Sequence, residues 1–252
     1  TFTTAAVNSD CTITLSFKPP TAPLNDTGVF RCTDADSYDL DCPQAGLPRQ
    51  DAEFGRDAIH NDDSDGHAGF SFTKICNSGE AAGEGNCPAN PSLGSGANNW
   101  ACNRDNVAGL MWEVKTNDGG LRDRDNTYTW YNSNSNANGG DAGTENGGTC
   151  PDNGNCDSEK YFVSVNAAGL CGYNDWSIPD INQLLSIAEL GATSPRIDTA
   201  YFPNSFVSWY WSATSNAKDI DQARVINFFS GNDNNYGKDA KGYLRLVRTD
   251  NN

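Results

Sequence analysis

With 252 residues and a formal net charge of −16, the chain is long enough to bury a core, while its surface repels nucleic acid, heparin-like chains and anionic lipid at long range. Lysine and arginine are scattered, and only Arg122/Arg124 and Arg245/Arg248 stand close together, so no basic patch offers a polyanion a foothold. No apolar run approaches the roughly 18–20 residues that a membrane span needs, so membrane insertion is not expected.

Residues 1–20, TFTTAAVNSDCTITLSFKPP, set Ile13, Leu15 and Phe17 against Thr12, Thr14 and Ser16. That alternation is the pattern of a half-buried β-strand, closed by Pro19 and Pro20. It reads either as a strand of its own domain or as an arm that adds to a neighbouring molecule's sheet edge. The chain starts at Thr1, with no Met and no apolar leader, which suits a processed exported protein.

Residues 21–97 form a loop-rich extension with little periodic pattern, where disulfides supply order at about 2–4 kcal/mol per bridge. Within it, HNDDSDGHAGFSF sets Asn61, Asp63, Asp65 and Gly66 in the N-x-D-x-D-G order of a calcium loop. Alternate hard oxygen donors, and a glycine for the sharp bend, are what calcium coordination requires. Phe72 stands where an EF-hand places its glutamate, so the candidate is a different kind of calcium loop, or else an Asp-rich solvated turn.

A second acidic group, Asp118, Asp123 and Asp125 in NDGGLRDRD, is a further calcium candidate, although Arg122 and Arg124 interleave and offer neutralisation. Residues 132–157 are almost entirely Asn, Gly, Asp, Ser and Thr. They read as a surface loop too long for a mere connection, which favours a functional or ion-binding role. Two helices follow. One is capped at Asp157 or Ser158, has an apolar face of Tyr161, Phe162 and Val165, and stops at Gly169; the other is capped by Asp180 with Gln183, carries a stripe of Ile181, Leu184, Leu185 and Ala188, and ends at Gly191. Strands are expected at SWYWSAT, ARVINFFSG and GYLRLVRT, separated by Gly, Asn and Asp turns. The order defines an α+β domain over 98–252.

Nine cysteines in a chain with one Met read as an exported protein with disulfides. The zinc alternative lacks C-x-x-C spacing, and His60 and His67 are the only histidines. Short loops suggest Cys32 with Cys42, Cys76 with Cys87 and Cys150 with Cys156, leaving Cys102 to reach Cys171. Cys11 is then left over, as a free thiol or an intermolecular bridge. This is one pairing among the many that nine cysteines allow.

The segments RDNVAGLMWEVKT, YTWYN, AAGLCGYNDWSIPDINQLLSI, YFPNSF, YWSAT, ARVINFFSG and YLRLVR, in this order, resemble the C-terminal domain of the Legionella collagen-like protein and its relatives. LNDTGVFRC, CPQAG and QDAEFGRDA resemble an extension found before that domain. The resemblance implies a C-type-lectin-like fold on a bacterial surface protein, with binding or adhesion as its role. Two departures stand out. Trp176 is followed by Ser177, Ile178 and Pro179 where the family has W-R-L-P, and the charge of −16 fits poorly with the glycosaminoglycan binding associated with the family's namesake. The E-P-N and W-N-D motifs of sugar-binding C-type lectins are not found either, since YNDW holds Asn174 and Asp175 before Trp176.

Trp112, Trp130, Trp176 and Trp211 fall inside the resembling segments and read as core. Tyr131, Trp209, Tyr210 and Tyr236, beside Asn- and Gly-rich loops, are the candidate ligand-binding aromatics, because such faces offer a sugar ring or protein partner stacking and hydrogen bonds together. No G-x-S-x-G, H-E-x-x-H or phosphate loop occurs, so an enzyme is not expected. The expectation is a secreted surface-binding protein whose partner is a host or neighbouring-cell glycan or protein. The alternative is a subunit that self-assembles into a filament or surface layer through the amino-terminal strand and Cys11.

Overall fold

The computed structural model describes residues 25–60, 63–151 and 155–250. Cys11, Ile13, Leu15 and Phe17 of the amino-terminal arm, and Asn61 of the first calcium candidate, lie outside these residues.

Strands β1 (Phe72–Cys76), β2 (Trp100–Asp105), β3 (Leu110–Glu113) and β7 (Val247–Thr249) form an antiparallel sheet in the order β1-β2-β3-β7. Strands β4 (Trp209–Ser215), β5 (Gln222–Asn227) and β6 (Asn232–Gly237) form a second antiparallel sheet in chain order. Between them in sequence lie helices α1 (Ser158–Ala168) and α2 (Ile181–Leu185), giving an α+β fold. β1 comes from the segment read as an extension, so that segment shares a sheet with the domain that follows it.

Alternation along the strands feeds two apolar clusters at once. Met111, Trp211, Val225 and Leu246 enter one, with Trp130, Tyr161 and Trp176. Their chain neighbours Trp112, Tyr210, Ile226 and Val247 enter the other, with Phe72, Leu184, Phe202 and Phe228. The core-forming tryptophans Trp112, Trp130, Trp176 and Trp211 are all buried.

Four disulfides close: Cys32–Cys42, Cys76–Cys87 and Cys150–Cys156, suggested by short loops, and Cys102–Cys171, the pair left over from them. Helix α1 begins where its cap predicts, with Asp157 accepting from Lys160 N, and ends at Gly169 in the left-handed conformation at φ 67°. Helix α2 keeps its Asp180–Gln183 capping box but runs only to Leu185, not to Gly191. Ile187 and Ala188 are both buried, and the chain leaves the helix to place them in the second cluster. β7 is likewise shorter than GYLRLVRT. β6 is an additional strand where the sequence shows mainly turn residues, because an edge strand needs no apolar face.

An ionic network crosses the interior. Glu113 and Lys115 are buried and pair at 3.0 Å, and Lys115 Nζ also donates to Tyr161 Oη at 2.6 Å. The Tyr161 hydroxyl donates to Glu113 Oε1, and Leu246 N donates to Glu113 Oε2 at 3.0 Å. Burial alone would raise the Glu113 carboxyl, but Lys115, the Tyr161 hydroxyl and Arg122 hold it below its ordinary value.

Candidate functional site

The polar stretch after Trp130 is folded around an ammonium group. Lys238, 2% exposed, donates to the carbonyls of Asn138 at 2.9 Å and Asp141 at 2.6 Å, with its Nζ 4.3 Å from the Trp130 ring centroid. In the loop that the sequence marked for a functional or ion-binding role, two carbonyls are thus taken by a side-chain cation. The far end is tied to α1, where Asp157 accepts from Asn146 N at 3.1 Å as well as capping the helix. Burial lowers the Lys238 ammonium, and Asp141 and Asp221 oppose that shift.

Where this loop meets α1, it leaves a cleft of about 370 Å³ lined by Tyr131, Asn132, Ser133, Glu159, Phe162 and Ile178, among others. The size falls within the range of small-ligand sites. Ser133 is fixed to Glu159 by its backbone N at 2.6 Å and its Oγ at 2.8 Å, and Ser158 Oγ both accepts from Tyr131 N and donates to Tyr131 O. Half-buried aromatic and aliphatic surface therefore forms the floor, and preordered amides and hydroxyls form the rim.

Of the aromatics singled out by sequence, Tyr131 lies in this cleft. Trp209 and Tyr236 pair elsewhere, with ring centroids 5.3 Å apart and Tyr236 38% exposed. Tyr210 is a correction: it is 1% exposed, and its hydroxyl accepts from Phe206 N at 2.8 Å. Its place on β4 turns it to the face opposite Trp211, against Phe228 and Tyr243, so it is core. Sequence reasoning missed Phe162 and Glu159, which it had absorbed into a helix.

Several of the acidic candidates accept hydrogen bonds from their own turns. Asp118 accepts from Thr116 Oγ1, Gly120 N and Ser95 Oγ, and Asp123 from Gly119 N and Asp125 N. Burial opposes these donors, yet they hold both carboxyls below the ordinary aspartate range. Asp125 lies 3.8 Å from Arg124, whereas Arg122 turns inward to the carbonyls of Ala101, Val114 and Gly94. Asp65 accepts from Ser71 Oγ at 2.5 Å and Asp63 from Ala68 N at 3.4 Å. Among the described residues, neither acidic set forms a group of three carboxylates with donor atoms within 4.8 Å of one another; that arrangement occurs at Asp26, Asp51 and Asp57.

A wider groove of about 530 Å³ borders His67, Glu189, Asp63 and Tyr201. His67 Nδ1 is hydrogen-bonded to Glu189, and His67 N donates to Asp198 Oδ2 at 3.1 Å. Burial raises the Glu189 carboxyl, with His67 opposing. The pairing joins residues far apart in the chain and left no signal in the sequence.

Fold and cleft together describe a disulfide-braced α+β module with a preordered, ligand-sized depression on its surface. Residues 101–248, more than half the chain, match the family described as the Lcl C-terminal domain, and the chain belongs to that family. No curated protein matches the chain. Family membership and the disulfides point to a bacterial surface protein.

Proposed function

We propose that this chain is a non-catalytic, C-type-lectin-like binding module of an extracellular bacterial surface protein, serving adhesion to a glycan or protein on a host or neighbouring cell. The cleft at Tyr131 carries this reading. It joins an aromatic floor to a rim of amides, hydroxyls and one carboxylate, a donor and acceptor set that suits neutral polyhydroxyl ligands or extended peptide better than polyanions. The acidic surface supports the same choice.

The test is a glycan and peptide binding screen with the whole chain, followed by Tyr131→Ala and Phe162→Ala. Each substitution is expected to weaken binding of any hit by about tenfold or more, since a stacked aromatic contributes on the order of 1–3 kcal/mol. Hits that bind both variants as tightly as the parent place the ligand elsewhere, with Trp209 and Tyr236 the next surface to substitute.

The second reading, a self-assembling subunit joined through its amino-terminal strand, has one supporting observation: β6 is the last strand of its sheet and, at six residues, long enough to template a partner strand. Light scattering on the whole chain and on a form lacking residues 1–20 tests it. Assemblies formed only by the whole chain favour it, and monomers in both samples remove it.

A further inference from the structure

The segment ahead of β1 gathers three carboxylates that, among the described residues, no basic side chain pairs with. Donor oxygens of Asp26, Asp51 and Asp57 lie within 4.8 Å of one another. Asp57 is 2% exposed; its Oδ1 accepts from Ala58 N at 2.8 Å, while its Oδ2 is buried and receives no hydrogen bond. Asp26 is half-buried and Asp51 exposed.

The backbone is shaped to hold this arrangement. Asp26 Oδ1 accepts from Thr27 N at 2.9 Å, Asp26 Oδ2 accepts from Arg56 N and Asp57 N, and the Thr27 hydroxyl donates to Asp51. Gly55, at φ +95°, lets the chain pass where a Cβ would collide with the Asp26 carboxylate. Among the described residues no salt bridge reaches any of the three. Arg31 pairs with Asp39 and Asp41, and Arg56 Nε donates to Gly69 O at 2.9 Å.

Three carboxylates in so small a space, one of them withdrawn from water, repel one another unless a proton or a cation lies between them. Burial first, then the charge of Asp26, pushes the Asp57 carboxyl up to about 7.

We propose that Asp26, Asp51 and Asp57 form a calcium site that ties the start of the described chain to the turn at 51–57. A donor set of carboxylate oxygens without Cys or His selects a hard cation. Calcium's longer bonds and adaptable geometry suit side chains from three separate positions better than the strict octahedron of magnesium. Asp57 also borders a cavity of about 570 Å³, and Asp51 faces solvent, so water can complete the coordination.

The test titrates the chelator-stripped whole chain with calcium chloride, and separately with magnesium chloride, by calorimetry, with thermal unfolding alongside. A saturable calcium site is expected, with Tm raised by about 5–10 °C at a hundredfold excess over Kd. Asp57→Asn and Asp51→Asn should each weaken calcium binding by about tenfold or more, while Asp63→Asn and Asp118→Asn should not. Because Asp51 is exposed, Asp51→Asn alone decides the matter should Asp57→Asn fail to fold. Calcium binding unchanged by the Asp51 and Asp57 substitutions, or no binding at millimolar calcium, overturns the proposal.

Discussion

Replacing Glu113 by Gln keeps the volume and one acceptor oxygen but removes the charge that answers Lys115. The ammonium is then left fully buried beside the Tyr161 hydroxyl, with the like charges of Arg245 and Arg122 still acting on it. Breaking a buried pair in this way costs about 3–5 kcal/mol. Lys115→Met is expected to cost less, about 1–3 kcal/mol, because the carboxylate keeps the Tyr161 hydroxyl and the Leu246 N–H. The double variant should lie within about 1–2 kcal/mol of the parent, since both charges are gone, which implies a coupling of about 4–5 kcal/mol from the mid-range values. Urea unfolding followed by tryptophan fluorescence at pH 7, with the disulfides intact, measures all three. A cost below about 1 kcal/mol for Glu113→Gln, or a double variant less stable than that single one, would refute the reasoning.

Asp157→Ala removes the α1 cap and the anchor of Asn146 together, so a loss of about 1–2 kcal/mol is expected, with faster proteolysis between 132 and 157. Opening Cys102–Cys171, which spans 69 residues, by paired Cys→Ala substitution should cost about 2 kcal/mol more than opening Cys150–Cys156, which spans 6; equal losses in thermal unfolding would count against a chain-entropy origin. In calcium-free protein, Asp57 binds its proton more tightly folded than unfolded. Its contribution to stability is therefore present at low pH and lost as pH rises through about 7. Unfolding curves from pH 5 to 8 should show that decline and Asp57→Asn should flatten it; identical slopes in the two proteins would be the contrary result.

Local chemistry was legible in the sequence wherever it was decided locally. The α1 cap and stop, the Cys32–Cys42, Cys76–Cys87 and Cys150–Cys156 loops, and β4 and β5 all follow from neighbours within a dozen positions. What failed was settled at a distance. Helix α2 ends early because Ile187 and Ala188 are claimed by the second cluster, and Tyr210 is buried because β4 is covered on both faces. In the acidic runs that suggested calcium, Asp118 and Asp123 accept hydrogen bonds from the backbone of their own turns. The tighter group draws Asp26 from one segment and Asp51 and Asp57 from another, and no motif marks it. In the cleft, Tyr131 was recognisable by its loop, whereas Phe162 looked like any helix residue until the 131–134 strip was laid against it.

The interleaving of the two clusters makes strand alignment self-checking. Trp211 and Tyr210, Met111 and Trp112, and Leu246 and Val247 are adjacent pairs whose members belong to opposite faces. A slip by one position would exchange them, forcing an indole into space shaped for a phenol on one side and leaving a void on the other. A misaligned chain thus gains no partial credit from burying one face correctly. Selection against wrong pairings is written into the size differences between neighbours.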